Sequence, residues 1–229
     1  RTYAATFFVF ADYMKPMQRL SSLMQIPQIA VFSHDSIGVG EDGPTHEPIE
    51  QLAMLRSQPN MYVFRPADET ETKAAWYCAV TSMRTPTSIV LSRQSLPVLE
   101  NSSKDALKGG YILRNEKKDS PDVIMVATGS ETGIAVEAAE MLEADGISAR
   151  VVSMPCMELF EEQSEEYRNA VLPPEITKTA VIEAGSSMSW GRYAGIDGCY
   201  ITMDTFGASA PAAQLFEKYG FTADNVRKI

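Results

Sequence analysis

Both histidines of this chain, His34 and His46, lie in one glycine-rich stretch that also contains several carboxylates. An imidazole changes its charge near neutral pH, so two of them close together are suited to proton transfer and to binding polar ligands. The stretch follows an apolar run that is typical of a buried strand. Two histidines in a loop after a strand favour a functional role over a surface or capping role.

Further polar residues follow the other apolar runs of the first hundred residues. Arg65 and Arg93 come after the third and fourth runs, and Asp42 lies in the loop with the two histidines. Ligands of open parallel sheets bind beyond the carboxyl ends of the strands, so we expect these side chains to converge there. An arginine beside a histidine is suited to a phosphate group, because the guanidinium presents a fixed fork of donors.

Residue types alone leave other interpretations of this loop open. His34, His46 and Asp42 could hold a metal ion, although their spacing is not that of ligands on a helix or hairpin. Ser36 could be a nucleophile, but a GxSxG elbow is missing. Residues 38–43 match GxGxxG, yet two carboxylates in this loop would repel a pyrophosphate, which argues against dinucleotide binding.

The elements that must position these residues can be predicted from hydrophobic periodicity. Apolar runs alternate with amphipathic stretches in the order βαβαβαβ, which predicts a mainly parallel sheet. The predicted strands are residues 6–10, 28–32, 61–64 and 87–91. Polar, proline-containing and glycine-containing sequence around residue 102 predicts a boundary between domains 1–102 and 103–229, the second also α/β. Its predicted strands are residues 123–127, 149–152, 179–182 and 200–203.

An aromatic run, Phe7, Phe10 and Tyr13, coincides with the first predicted strand and the residues after it. By residue type alone, such a run is more often core packing than a cofactor pocket. Its position beyond the first strand places it at the same sheet edge as the histidine loop.

Composition restricts the partners and the compartment. Thirty acidic and 20 basic side chains give a net charge of -10, which disfavours binding to nucleic acid or to anionic membranes. The three cysteines, Cys78, Cys156 and Cys199, follow no metal-binding or disulfide spacing and suit a reducing, cytoplasmic compartment. A hydrophobic fraction of 45% is ample for buried cores.

Read as a whole, residues 34–50, HDSIGVGEDGPTHEPIE, resemble the long signature of transketolases. Segments 6–13, 65–68, 91–94 and 206–210 also resemble the family in order and spacing. The resemblance covers essentially the whole chain and implies two three-layer α/β/α domains. Residues 1–102 would be the carboxy-terminal part of a pyrimidine-binding domain with a truncated, mainly parallel sheet, and residues 103–229 a smaller C-terminal domain with a mixed sheet.

The resemblance also implies roles for residues around the cofactor and the reacting carbonyl. Phe7, Phe10 and Tyr13 resemble the aromatic pocket that packs around the aminopyrimidine ring of thiamine diphosphate. His46 resembles the residue near the reacting carbonyl end of the sugar. His34 and His46 are the expected catalytic residues, which shuttle protons.

Substrate binding is implied for four residues of the same edge. His34 and Arg93 resemble the pair that binds the terminal phosphate of the sugar. Asp42 resembles the residue that accepts a hydrogen bond from a sugar hydroxyl, and His46 is expected to contact the substrate as well.

The function implied is transfer of a two-carbon ketol unit from a ketose phosphate to an aldose phosphate in the pentose phosphate pathway. The carbanion chemistry belongs to thiamine diphosphate, held with Mg²⁺ or Ca²⁺ in a cytoplasmic homodimer. Alternatives are a fragment of deoxyxylulose-phosphate synthase or of a 2-oxo acid dehydrogenase beta subunit. A non-catalytic role in subunit contact or regulation is a further alternative, above all for residues 103–229.

In the family, the cofactor-activating glutamate and the domain that holds the diphosphate and metal ion precede the segment that begins at Phe7. We therefore expect this chain to be a fragment that is inactive alone, contributes no metal ligand and binds no cofactor by itself.

Overall fold

The computed structural model describes residues 2–195 and 197–228. The first sheet is parallel, with the strand order β1-β2-β4-β3. Its strands are β1 (Tyr3–Phe7), β2 (Ile29–Ser33), β3 (Tyr62–Phe64) and β4 (Thr87–Val90). The helices of this domain are α1 (Ala11–Met24), α2 (Gln51–Arg56) and α3 (Glu69–Thr81).

Apolar side chains from both faces of this sheet are buried, which gives the domain three layers. Phe8, Phe32 and Val63 pack in one cluster with residues of α1 and α2. On the other face, Phe64 and Ile89 pack with alanines of α3. Strands buried on both faces are typical of parallel sheets, as the continuous apolar runs predict.

The first strand differs from its prediction, residues 6–10. It spans Tyr3–Phe7, and Phe8–Phe10 form a 3-10 helix that leads directly into α1. The run of five apolar or threonine residues resembles a strand, but its last three residues make the turn over the sheet edge. Phe7 therefore ends the strand, whereas Phe10 lies on the turn above the edge.

Side-chain hydrogen bonds cap the N-terminus of α3. The Asp68 carboxylate accepts a hydrogen bond from the Glu71 amide at 2.9 Å. The Glu71 carboxylate in turn accepts from the Ala67 amide at 2.7 Å. One amide of the first helical turn and the amide just before the cap are satisfied in this way.

The second sheet is mixed, with the order β5-β7-β6-β8-β9 and with β5 antiparallel to β7. Its strands are β5 (Tyr111–Arg114), β6 (Val123–Ala127), β7 (Ala149–Ser153), β8 (Thr179–Ile182) and β9 (Cys199–Ile201). Its helices are α4 (Glu131–Ala144), α5 (Met157–Glu161), α6 (Glu165–Val171), α7 (Gly191–Ala194), α8 (Ala212–Lys218) and α9 (Ala223–Val226). Residues of α4, α8 and α9 pack on one face, and residues of α5, α6 and α7 on the other.

The two sheets confirm the predicted fold class of two three-layer α/β domains, the first parallel and the second mixed. The division after residue 102 stays a prediction. Ser102 itself donates a hydrogen bond to Asp68 at 2.9 Å, so the connection between the sheets packs back on the first domain.

The three cysteines, Cys78, Cys156 and Cys199, are free thiols. Burial raises the pKa of Cys78 to about 11. None of the helices in the described part of the chain combines the length and the apolar character that crossing a membrane requires.

Candidate functional site

The loop between β2 and α2 carries both histidines and is shaped by tight local turns. The Ser36 side chain accepts from the Gly38 amide and caps the short 3-10 helix Ile37–Val39. Gly40 and Gly43 then adopt positive φ values of 86° and 75°, which glycine tolerates without a Cβ clash. The Gly43 carbonyl accepts from the amides of His46 and Glu47 at 2.9 and 3.1 Å, so the turn sets the position of His46.

Three aromatic rings form a surface that continues into both imidazoles. The rings of Phe7 and Phe10 lie within 8° of parallel with centroids 6.4 Å apart, and Tyr13 lies 6.0 Å from Phe10. The His34 ring stacks on Phe7 at 3.7 Å, and the His46 ring meets Phe10 edge-on at 5.8 Å. Tyr13 is 82% exposed, so this surface is open to a ligand and suits a flat aromatic ring.

His34 has an unusual backbone and a perturbed charge. Its φ is +63°, a left-handed conformation that non-glycine residues adopt at a cost. Its Nδ1 lies 2.9 Å from the Ser33 hydroxyl. Burial, followed by the positive charge of Arg93, lowers the pKa of His34, and Asp42 opposes this change. The imidazole is therefore biased toward its neutral form, which can accept a proton at neutral pH.

His46 is oriented by its neighbour in the chain. The Thr45 hydroxyl lies 2.9 Å from the Nδ1 atom of His46. Because Nδ1 is engaged by this hydroxyl, Nε2 is the ring nitrogen that would exchange a proton with a ligand. The edge contact with Phe10 holds the ring at the aromatic surface.

Asp42 and Arg93 lie close enough to His34 to change its pKa, although both are exposed. The loop after β4, which carries Arg93, also contacts the histidine loop. A Cβ at Gly38 would lie 2.6 Å from the side-chain oxygen of Gln94, so the two loops are in close contact. The structure thus brings together the predicted residues Phe7, Phe10, Tyr13, His34, Asp42, His46 and Arg93.

Arg65, which we expected at this edge, does not join them. Its side chain is fully buried and donates to Asp35 through Nε at 3.0 Å and Nη2 at 2.7 Å. It also donates to the Thr128 carbonyl and to Glu131 in the second domain. The prediction from its position after β3 is wrong, because the second domain covers this end of the strand and pairs the arginine there.

Sequence reasoning missed three polar groups around the histidines. Ser33 and Thr45 orient the two imidazoles, and each directly precedes its histidine in the chain. Glu47, directly after His46, is only 2% exposed, and burial raises its pKa to about 7. Adjacency to a histidine was the one signal available, and it does not reveal which side chains are buried.

No group of three or more His, Cys, Asp or Glu side chains is placed to hold a metal ion in residues 2–195 and 197–228. A cleft of about 900 Å³ lies between the domains, beside α2 and α5, and its lining includes Asp12, Arg56, Met157 and Tyr193. Neither histidine lines that cleft. The two histidines, which are half-buried, therefore lie outside this cleft.

Two family profiles match this chain in tandem. The family described as "Transketolase, pyrimidine binding domain" matches residues 1–98. The family described as "Transketolase-like TK C-terminal domain" matches residues 109–222. The stretch between the two matches contains the predicted domain boundary.

Individual relatives agree with these matches. The transketolase of Bacillus subtilis (strain 168) is 50% identical over 230 residues, which cover 99% of this chain and 34% of that protein. The crystal structure of a Pichia stipitis transketolase complex with sedoheptulose 7-phosphate superposes with a TM-score of 0.93 at 45% identity, over 99% of this chain and 33% of that one. A "split gene transketolase, inactive beta4 tetramer" superposes with a TM-score of 0.75 at 29% identity, over 99% of this chain and 74% of that one. This chain spans about a third of the length of the curated relatives it matches.

Proposed function

This chain belongs to the transketolase family, and we propose that it is the part of a transketolase that binds the pyrimidine ring of thiamine diphosphate and the sugar substrates. The enzyme would transfer a two-carbon ketol unit from a ketose phosphate to an aldose phosphate. The observation that carries this proposal is the convergence of His34, His46, Asp42 and Arg93 beside one aromatic surface. The relatives favour this activity over deoxyxylulose-phosphate synthase and 2-oxo acid dehydrogenases.

Phe7, Phe10 and Tyr13 would hold the aminopyrimidine ring. Their open, partly parallel rings fit a flat aromatic group, which supports this assignment. Thiamine diphosphate supplies the carbanion chemistry of ketol transfer when it is bound. The diphosphate and its Mg²⁺ or Ca²⁺ ion would be held by a part of the enzyme outside this chain.

The polar residues would divide the binding and proton transfer among them. Arg93 and His34 would bind the terminal phosphate, where the guanidinium offers a charged, forked donor. Asp42 would accept a hydrogen bond from a sugar hydroxyl. His46, with Nδ1 engaged by Thr45, would exchange a proton at the reacting end of the sugar through Nε2.

We also propose that the enzyme works in the cytoplasm, in the pentose phosphate pathway, as a homodimer. Free cysteines and a net charge of -10 are compatible with a reducing compartment and with small anionic substrates bound in a local basic pocket. The dimer is an expectation from the family.

A chimeric enzyme tests the proposed function. The matched segment of the Bacillus subtilis relative, 50% identical to this chain, is replaced by this chain. We expect the chimera to show ketol transfer with thiamine diphosphate and Mg²⁺, and the chain alone to show none. A relative of this chain is described as an inactive tetramer, which supports the second expectation. A folded chimera without ketol transfer would contradict the proposal, and so would turnover by the chain alone.

Replacing Arg93 with leucine in the chimera is expected to raise KM for a sugar phosphate by roughly 10- to 100-fold, because a charged hydrogen bond to the phosphate is lost. KM for an unphosphorylated aldehyde acceptor should change less than about threefold. Arg84, an exposed arginine before β4, is the matched control, because Arg93 follows the other end of the same strand. Equal effects of Arg93→Leu on both acceptors, or an equal effect of Arg84→Leu, would exclude a phosphate-specific role.

A further inference from the structure

Glu47 is a buried carboxylate at the junction of the two domains. Its side chain is only 2% exposed, and neither carboxylate oxygen has a hydrogen-bond partner of acceptable geometry within the described part of the chain. Most buried carboxylates are paired or hydrogen-bonded, because an isolated buried charge is costly. The group therefore needs an explanation that is separate from the roles of the two histidines.

The carboxylate packs against loop 206–210 of the second domain. A Cβ added at Gly207 would collide with its Oε2 atom and would lie 3.3 Å from Ile37. The same loop holds the histidine loop elsewhere, since the Ser209 hydroxyl donates to the Glu41 carbonyl. Loop 206–210 thus contacts the histidine loop at two places, Glu47 and Glu41.

The surroundings of the carboxylate are uncharged. No titratable side chain is carried by the residues that approach it, Ile37, Gly207 and Ala208. Its chain neighbour His46 contributes no charge interaction to the change in the pKa of Glu47. Burial raises the pKa of Glu47 from 4.5 to about 7, and the backbone of Ala208 opposes this only in part. The protonated form is therefore the one that this environment favours.

We propose that Glu47 is a positioning residue of the active site, whose uncharged carboxyl seats the histidine loop on loop 206–210. This inference rests on the proposed function, and it assigns a task to the second domain. Ionisation would place an unpaired charge against Gly207, so the carboxylate would move toward water. His46 is the preceding residue and would move with it.

The direction of the pH effect follows from the raised pKa. A carboxyl whose pKa is higher in the folded state than in the unfolded state contributes stability that is fully present below pH 4.5, its ordinary pKa. That contribution is lost as the pH rises through about 7. The Glu47→Gln variant has the same shape without a charge, so it should keep the loop seated over the whole range.

Backbone NMR of this chain from about pH 5 to about pH 9 tests the proposal. In the wild type, the amide signals of Gly207 and Ala208 should shift with a midpoint near pH 7, the pKa of Glu47. Glu47→Gln should abolish this step. Glu71→Gln is the matched control, because burial also raises the pKa of Glu71 to about 7, while its bonds to Ser153 and Tyr111 lie elsewhere. It should leave the step unchanged.

Hydrogen exchange of the His46 amide reports whether the loop itself moves. This amide donates to the Gly43 carbonyl at 2.9 Å. After correction for the intrinsic rate, its exchange in the wild type should rise by up to about tenfold per pH unit below pH 7 and level off above it. The same amide in Glu47→Gln should show no such rise. A step at Gly207 without faster exchange at His46 would overturn the positioning role.

A size exchange tests the contact independently of charge. Gly207→Ala should displace the carboxyl and speed exchange at His46 at all pH values. Glu47→Ala combined with Gly207→Ala should slow it again, because the added methyl group replaces the removed carboxyl. If Gly207→Ala does not fold, the comparison of Glu47→Gln with Glu71→Gln still shows whether the step near pH 7 arises from Glu47.

These measurements use the chain without substrate, so they fail separately from the proposed function. Absence of the step near pH 7, or its persistence in Glu47→Gln, would overturn the inference and leave the ketol-transfer proposal standing. A chimera without ketol transfer would remove the proposed function while the seating of the loop on residues 206–210 could still be confirmed.

Discussion

The Arg65→Met substitution is expected to lower the free energy of unfolding by about 3–5 kcal/mol, measured by urea denaturation near pH 7. Arg65 is fully buried and pairs with Asp35 in the first domain and with Glu131 in the second. Burial alone lowers the pKa of Arg65, but the charges of Glu131 and Asp35 outweigh it and raise the pKa, so the arginine stays charged. Methionine fills much of the space and leaves two carboxylates buried without their partner.

The decrease in the free energy of unfolding caused by Arg65→Met should be smaller near pH 5 than near pH 8. Burial already raises the pKa of Glu131 in the presence of Arg65, and removal of the arginine raises it further. Carboxyls with a raised folded-state pKa stabilise the fold at low pH and lose this contribution as the pH rises. A pH-independent loss would contradict the buried-pair explanation.

The control for this variant is Lys73→Met, which removes a pair between Lys73 and Glu69 whose side chains are 71% and 65% exposed. It should change the free energy of unfolding by less than about 0.5 kcal/mol. Equal losses in the two variants would show that the interdomain pair contributes no more than a surface pair.

The His46→Ala variant of the chimera should lower kcat/KM for ketol transfer by roughly 10²- to 10⁴-fold, the range typical of general acid–base groups. The imidazole lies at the aromatic surface against Phe10, with Nδ1 held by Thr45. Its loss removes the proposed proton transfer at the reacting end of the sugar. Steady-state kinetics as a function of pH, with thermal unfolding of each variant, give the result.

A graded pair of variants separates this role from a structural one. Thr45→Val keeps the imidazole and removes only the hydroxyl that orients it, so a loss of about tenfold is expected. His46→Gln keeps a polar side chain that cannot transfer a proton, so it should lose nearly as much activity as His46→Ala. If His46→Ala changes kcat/KM by less than about threefold, His46 is not a proton-transfer residue.

Much of the fold could be predicted because most of the apolar runs form strands that are buried on both faces of their sheets. The predicted strands 123–127 and 179–182 coincide with β6 and β8, and the others shift by a few residues. The antiparallel strand β5 was missed, since it is only Tyr111–Arg114 and lies at an edge. A short strand at an edge has neither the length nor the two-sided burial that makes a run visible.

The residues expected at the candidate site also include some that could be predicted and one, Arg65, whose surroundings could not. Phe7, His34 and His46 could be found because each lies just beyond a strand or on the loop that follows it, and strand ends in parallel sheets meet at one edge. Arg65 satisfied the same rule and is buried instead, bonded to Thr128 and Glu131 more than 60 positions along the chain. Position relative to a strand therefore predicts which edge a residue reaches, but not what covers that edge.

The family resemblance, the two α/β domains and the set of side chains with the chemistry for sugar phosphates and a flat cofactor ring could all be predicted from the amino-acid sequence. These follow from residue types and short spacings, which are local properties. The folded chain was needed to see that the second domain pairs Arg65 and that loop 206–210 packs against the buried Glu47. Burial and charge pairing depend on segments far apart in the chain, and they set the ionisation of each group.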